Sequence, residues 1–159
     1  MSGRAVFYHL TRSGLEETLL MILTRAQVAG WRVMVRGTGP ARLEVLDRRL
    51  WGGAGDTGFL AHGLQGGDHD ADQPILLGIG PLPTGMQGLV LLDGAETSAA
   101  ESAELQRVWV LFDGADEAQV AGARLLWKDL TEGGMAAQYW TEESGRWAMK
   151  VEKAAQAGV

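Results

Sequence analysis

Arg124, Trp127 and Lys128 are the residues of this chain whose types and spacing could do specific chemistry. They fall near the end of a predicted helix spanning Asp116–Leu130. At about 100° per residue, Arg124 and Lys128 stack one turn apart with Trp127 beside them. Val120, Ala123, Leu126 and Leu130 point elsewhere and form the buried stripe. Two cations flanking a large aromatic make a surface suited to a short acidic peptide with an apolar end. The chain carries a formal net charge of -6, so this cationic spot is local. Arg146 and Lys150 lie beside Trp147 in a predicted terminal hairpin. If that hairpin packs alongside the helix, four cations and two tryptophans converge.

Other motifs have weaker claims. Gly53-Ala54-Gly55-Asp56-Thr57-Gly58 matches a G-x-G-x-x-G pattern but follows a helix and enters a loop. A dinucleotide signature needs the strand-to-helix turn that aims helix N–H groups at the pyrophosphate. Gly37-Thr38-Gly39 does sit between a strand and a helix, with Arg42 at the third glycine position, and reads as a plain turn or a short anion-binding one. It carries the alternative reading, a nucleotide-binding enzyme on a Rossmann-like fold. Asp68-His69-Asp70-Ala71-Asp72 has no second histidine motif at zinc spacing and reads as a polar loop. His62, next to an apolar run, reads as structural. Ser13 and Ser144 have capping or turn roles, and no Ser/His/Asp arrangement is defensible. Glu16-Glu17 and Glu142-Glu143 are adjacent pairs that diverge into solvent. No catalytic residue, metal site or cofactor is expected. Trp51 and Phe59, at the edges of a glycine-rich loop, either fold back on the core or anchor a protein partner, since tryptophan is enriched in interface hot spots.

The chain has 159 residues, 46% hydrophobic and 21% charged, which predicts one domain over residues 1–159 with a real core. The acidic balance argues against a long direct contact with DNA or RNA, which needs a basic surface. The chain has no cysteine, so disulfides, thiolate metal sites and cysteine nucleophiles are ruled out. No apolar run reaches the roughly 18–20 residues of a membrane span, and the first residues lack a secretory layout. A cytoplasmic location is expected.

The elements that must position these residues follow from apolar patterning. Val6–Leu10 reads as a buried strand. Ser13 and Glu16 have capping-box spacing before Leu15, Leu19, Ile22, Leu23 and Ala26 at helical intervals, with Gly30 as the stop. Trp31–Arg36 is a second strand, and Pro40 opens a helix with Leu43, Leu46 and Leu50 inside. Trp51–Gln73 reads as one long loop. Pro74–Ile79, Gly88–Leu92 and Val108–Phe112 are further strands, with a short helix over Thr97–Leu105. Ala136–Thr141 and Arg146–Val151 form the closing hairpin. Short apolar strands alternating with helices indicate a sheet covered on both faces. The predicted fold is α/β: three layers, α/β/α, on a mainly parallel Rossmann-like sheet.

Several short blocks, in order, resemble the chi subunit family of bacterial DNA polymerase III. They are Phe7-Tyr8-His9-Leu10, Leu46-Asp47-Arg48-Arg49-Leu50-Trp51, Phe59-Leu60-Ala61-His62-Gly63, Pro74-Ile75-Leu76-Leu77, Phe112-Asp113-Gly114, Ala123–Lys128 and Gly145–Lys150. The resemblance implies a non-catalytic clamp-loader accessory with a Rossmann-like fold, which grips the acidic, phenylalanine-ended tail of the single-stranded-DNA-binding protein. Nucleic acid would be met only indirectly. Carried over by motif, Arg124 and Lys128 would pair with tail carboxylates, and Trp127, where the family often has tyrosine, would line the pocket for the terminal phenylalanine. Lys150 would sit near the terminal carboxylate. Trp51 and Phe59 would belong to the surface that receives the psi subunit, another clamp-loader protein or a repair helicase. The segment Gly80–Gly85 is short here and lacks the basic character usual in the family.

Overall fold

A computed structural model describes residues 3–11, 14–53, 62–67, 70–142 and 146–154, with residues 51–53 as backbone only. In chain order the elements are β1 (Arg4–Leu10), α1 (Leu15–Val28), β2 (Val33–Arg36), α2 (Pro40–Gly53), β3 (His62–Leu64), β4 (Ile75–Gly78), β5 (Gly88–Leu91), α3 (Ala99–Ser102), β6 (Arg107–Asp113), α4 (Glu117–Glu132), β7 (Ala136–Thr141) and β8 (Ala148–Lys153). The strands form one eight-stranded sheet in the order β3-β4-β2-β5-β6-β1-β7-β8. Every pairing is parallel except the last, where β8 runs antiparallel to β7. The predicted three-layer α/β/α fold with a C-terminal hairpin is the observed one.

The layers follow from the pleat. Successive strand residues point to opposite faces, so β1 sends Val6 and Leu10 one way and Ala5 and Phe7 the other. Val6, Val33, Val35, Val90, Trp109 and Leu111 meet Leu19, Ile22 and Leu23 of α1 and Leu43, Leu46 and Leu50 of α2. On the far side, Phe7, Met34, Leu91, Val110, Phe112 and Ala137 meet Ala123, Leu126 and Leu130 of α4. Strands β2, β4 and β5 are buried at every residue, as parallel strands covered on both sides must be. Among the described residues no helix is long and apolar enough to cross a membrane.

Some expected boundaries shift. Helix α1 is capped at Gly14, with no side-chain hydrogen bond, and the Glu16 carboxylate accepts from Arg49 of α2 at 2.9 Å; Ser13, the other half of the expected capping box, lies outside the described residues. The helix ends as expected, with Ala29 N–H on the Arg25 carbonyl and Gly30 at φ +74. The helix expected over Thr97–Leu105 is a single turn, where the Ser98 hydroxyl accepts the Glu101 N–H. Trp51 belongs to the last turn of α2 and not to a loop. The stretch expected to be one long loop contains β3, whose His62 is buried with a ring nitrogen 3.1 Å from the Asp47 carbonyl oxygen.

Candidate functional site

Helix α4 starts where its chemistry predicts. The Asp116 carboxylate accepts the N–H groups of Ala118 and Gln119 at 3.0 and 3.2 Å, tying down two orphan donors of the first turn. Ala123, Leu126 and Leu130 then turn into the core, and Val120 packs against it half-buried. Arg124 and Lys128 are both exposed, one turn apart, and neither makes an ion pair among the described residues. Leu125, between them, is 71% exposed, an apolar side chain beside the two cations. Asp129 of the same helix faces away toward α3, where its carboxylate accepts the Ala99 N–H at 3.1 Å.

Trp127 is not simply displayed to solvent. It is half-buried, and its ring lies 5.2 Å from Phe7 on β1 and 6.3 Å from Tyr139 on β7, centroid to centroid. Those tilted and edge-on geometries are the favoured ones for aromatic pairs. Tyr139 is held in turn by its hydroxyl, 2.5 Å from Nδ1 of His9, and by Phe112 at 5.9 Å. Gly114 makes room for this ladder, because a Cβ there would overlap the His9 ring. The indole is thus a fixed wall with one side on the sheet. Phe7, His9 and Tyr139 build it, and no local spacing could announce them, since they come from strands far apart in the chain.

The hairpin brings more apolar surface. Val151 of β8 pairs with Tyr139 across the antiparallel ladder, so the two share the face that carries α4. Lys150 is exposed and sits at the register shift where the ladder slips between Tyr139 and Trp140. Trp147 corrects the expected convergence. Its ring packs edge-on against Tyr8 at 5.2 Å, on the α1–α2 side of the sheet, while Trp127 stands on the α4 side. Two tryptophans therefore do not meet; alternation along β1 sends Tyr8 and Phe7 to opposite faces.

For Trp51 only the backbone position is described, and Phe59 lies outside the described residues, as does most of Gly53–Gly58. The Asp70 carboxylate accepts the N–H groups of Gly66 and Gly67, a loop-building role. Gly37 and Thr38 line a broad groove at the end of β2 together with Glu96 and Glu101. The cation there, Arg36, is committed: Nη1 and Nη2 donate to the Glu101 carboxylate at 2.6 and 2.9 Å. Those hydrogen bonds hold the Glu101 carboxyl down at about 2. A second cavity, over the ends of β5 and β6, is lined by Asp93, Glu96 and Asp116. Acidic walls at these positions are poor hosts for phosphate.

The family model for the DNA polymerase III chi subunit, HolC, matches residues 2–138. The matched span runs from β1 into the first half of β7, so Arg124, Trp127 and Lys128 fall inside it and Lys150 beyond it. No curated protein matches the chain. With most of its length matched, and with a doubly covered sheet carrying the aromatic-backed cationic helix, the chain belongs to the DNA polymerase III chi subunit family.

Proposed function

We propose that this chain is a non-catalytic accessory of the polymerase III holoenzyme that ties the clamp-loader complex to the single-stranded-DNA-binding protein by holding its acidic C-terminal tail against α4. Membership of a DNA polymerase III subunit family supports the replication role. The observation that carries the finer reading is Trp127: half-buried, braced by Phe7 and Tyr139, and flanked by the exposed Arg124 and Lys128. A rigid apolar wall beside two exposed cations matches a peptide that is acidic along its length and aromatic at its end. Lys150, on the neighbouring strand, would meet the terminal carboxylate. Trp51 and Phe59 would serve the second partner, psi or another clamp-loader protein, and the protein would work in the cytoplasm.

The energies are consistent with a working contact. Rim ion pairs contribute about 0–1 kcal/mol each. Burying a phenylalanine ring adds about 1.5–3 kcal/mol. With about 1.5–3 kcal/mol from hydrogen bonds to the terminal carboxylate, only the upper end of the sum reaches the roughly 8 kcal/mol of a micromolar complex. Capture of the single-stranded-DNA-binding protein, intact and with its tail deleted, tests the proposal. Binding should vanish with the tail; equal capture of both forms overturns it.

A further inference from the structure

The opposite face of the sheet holds a second cationic feature, remote from α4. A cavity of about 320 Å³ opens between the C-terminal half of α1 and the first residues of β1 and β6. Arg4, Arg25 and Arg107 line it, with the indoles of Trp31, Trp109 and Trp140, and among the described residues that line it there is no aspartate or glutamate. None of the three arginines makes an ion pair among the described residues. The chain's net charge is -6, so three guanidinium groups around one hollow are a local concentration of positive charge.

Arg107 is the centre of the arrangement. Its guanidinium carbon stands 5.6 Å from the Trp31 ring centroid and 6.0 Å from that of Trp109. Both distances are within cation–π range. Its Nε is buried without a hydrogen-bond partner. A buried donor left unmet costs about 1–3 kcal/mol, a cost that an anion in the adjacent cavity would relieve by drawing the guanidinium toward it. Burial, and then repulsion from Arg4, lower the Arg107 pKa, which marks a charge lacking its counter-ion. Burial raises the pKa of Tyr8, another lining residue, so its hydroxyl keeps its proton and can donate. The position is fixed by β5: a Cβ on Gly88 would come within 2.5 Å of the Trp109 indole, so glycine lets that ring lie across the strand.

We propose that this cavity binds a small aromatic anion, a single flat ring carrying one phosphate or carboxylate group. The arginines would take the anion in forked hydrogen bonds. The half-buried rings of Trp31 and Trp140 would take the flat part by stacking. The volume lies at the lower end of ligand pockets, which suits one ring and excludes a dinucleotide.

Calorimetric titration of the full chain tests this with phenyl phosphate as the phosphate-bearing probe and N-acetylphenylalanine as the carboxylate-bearing one. At least one should bind more tightly than about 1 mM, and whichever does so identifies the anion class. The double variant R4A/R25A changes two exposed positions and should keep its melting temperature while binding at least tenfold more weakly. R107K, which retains charge but loses the fork, should weaken binding as well. R124A, on the other face, should leave it unchanged. The proposal is overturned if neither probe binds, if R4A/R25A binds as well as the parent, or if inorganic phosphate binds as tightly as phenyl phosphate. Tighter binding of an oligothymidylate than of either small probe would also overturn it, in favour of a nucleic-acid strand.

Discussion

Trp127 rests on Phe7, their ring centroids 5.2 Å apart, so the wall of the proposed peptide site is anchored to β1, a strand in the interior of the sheet. A fixed wall loses little freedom when a ligand arrives, which is how a small contact can reach useful affinity. The same anchoring means that the indole serves stability and binding at once.

Arg124→Ala and Lys128→Ala should each weaken tail-peptide binding several-fold, up to about tenfold. Both side chains are exposed, so the melting temperature should stay within a degree or two of the parent. Calorimetry with the tail peptide beside a thermal melt reads both quantities. Unchanged affinity in the double variant would remove the assignment of these cations.

Trp127→Ala should behave differently. Loss of the ring that packs on Phe7 and Tyr139 should cost about 2–4 kcal/mol of stability together with most of the binding. Trp127→Phe should recover much of the stability. A denaturant titration of the two variants separates them, and a Trp127→Ala protein as stable as the parent would mean that the ring is not part of the core.

Tail binding should fall steadily as salt rises from about 50 to 300 mM, because the exposed cations lie in solvent where counter-ions screen them. Affinity that does not respond to salt would point to a purely apolar contact. The slope is measurable by fluorescence anisotropy of a labelled peptide.

The Arg36–Glu101 pair predicts an acid response. The Glu101 carboxyl sits at about 2 against an ordinary 4.5, chiefly through its hydrogen bonds from Arg36. A depressed carboxylate stabilises the fold above its unfolded value and loses that contribution as pH falls from 4.5 toward 2. Glu101→Gln should cost about 1–2 kcal/mol at neutral pH, and its deficit against the parent should shrink across that window. Melting temperatures of both proteins between pH 7 and 2 would show the two curves approaching; curves that stay parallel would contradict the pairing.

Gly114→Ala should be destabilising by about 1–3 kcal/mol, since its Cβ would overlap the His9 ring, which Tyr139 and Phe112 hem in. Because His9 holds the Tyr139 hydroxyl, the damage should extend to the support of Trp127. Tail affinity measured on the folded fraction should fall even though residue 114 touches no peptide.

Much of this was readable in the chain because parallel strands buried on both faces leave a plain mark. Met34, Leu76 and Leu89 sit in unbroken apolar runs, and such runs read as strands without any tertiary information. Strand β3 left no such mark: His62-Gly63-Leu64 is too short for a period and owes its pairing to β4. The helix expected over Thr97–Leu105 stops after one turn because Ser98 and Glu101 announce a start but nothing enforces a continuation. At the site, the one-turn stacking of Arg124 and Lys128 is local and legible. The bracing of Trp127 by Phe7 and Tyr139, and the parting of Trp147 toward Tyr8, depend on which strands become neighbours. The arginine-lined cavity is invisible in the chain for the same reason, since Arg4, Arg25 and Arg107 meet only through strand order.

Strand β8 is the outermost described strand on its side of the sheet, and it bears Lys150, Glu152 and Lys153 with a slipped register against β7. A row of charges on an irregular border is a poor template for another chain to zip onto. Copies of this protein crowded together should therefore resist fibrous self-association through that border.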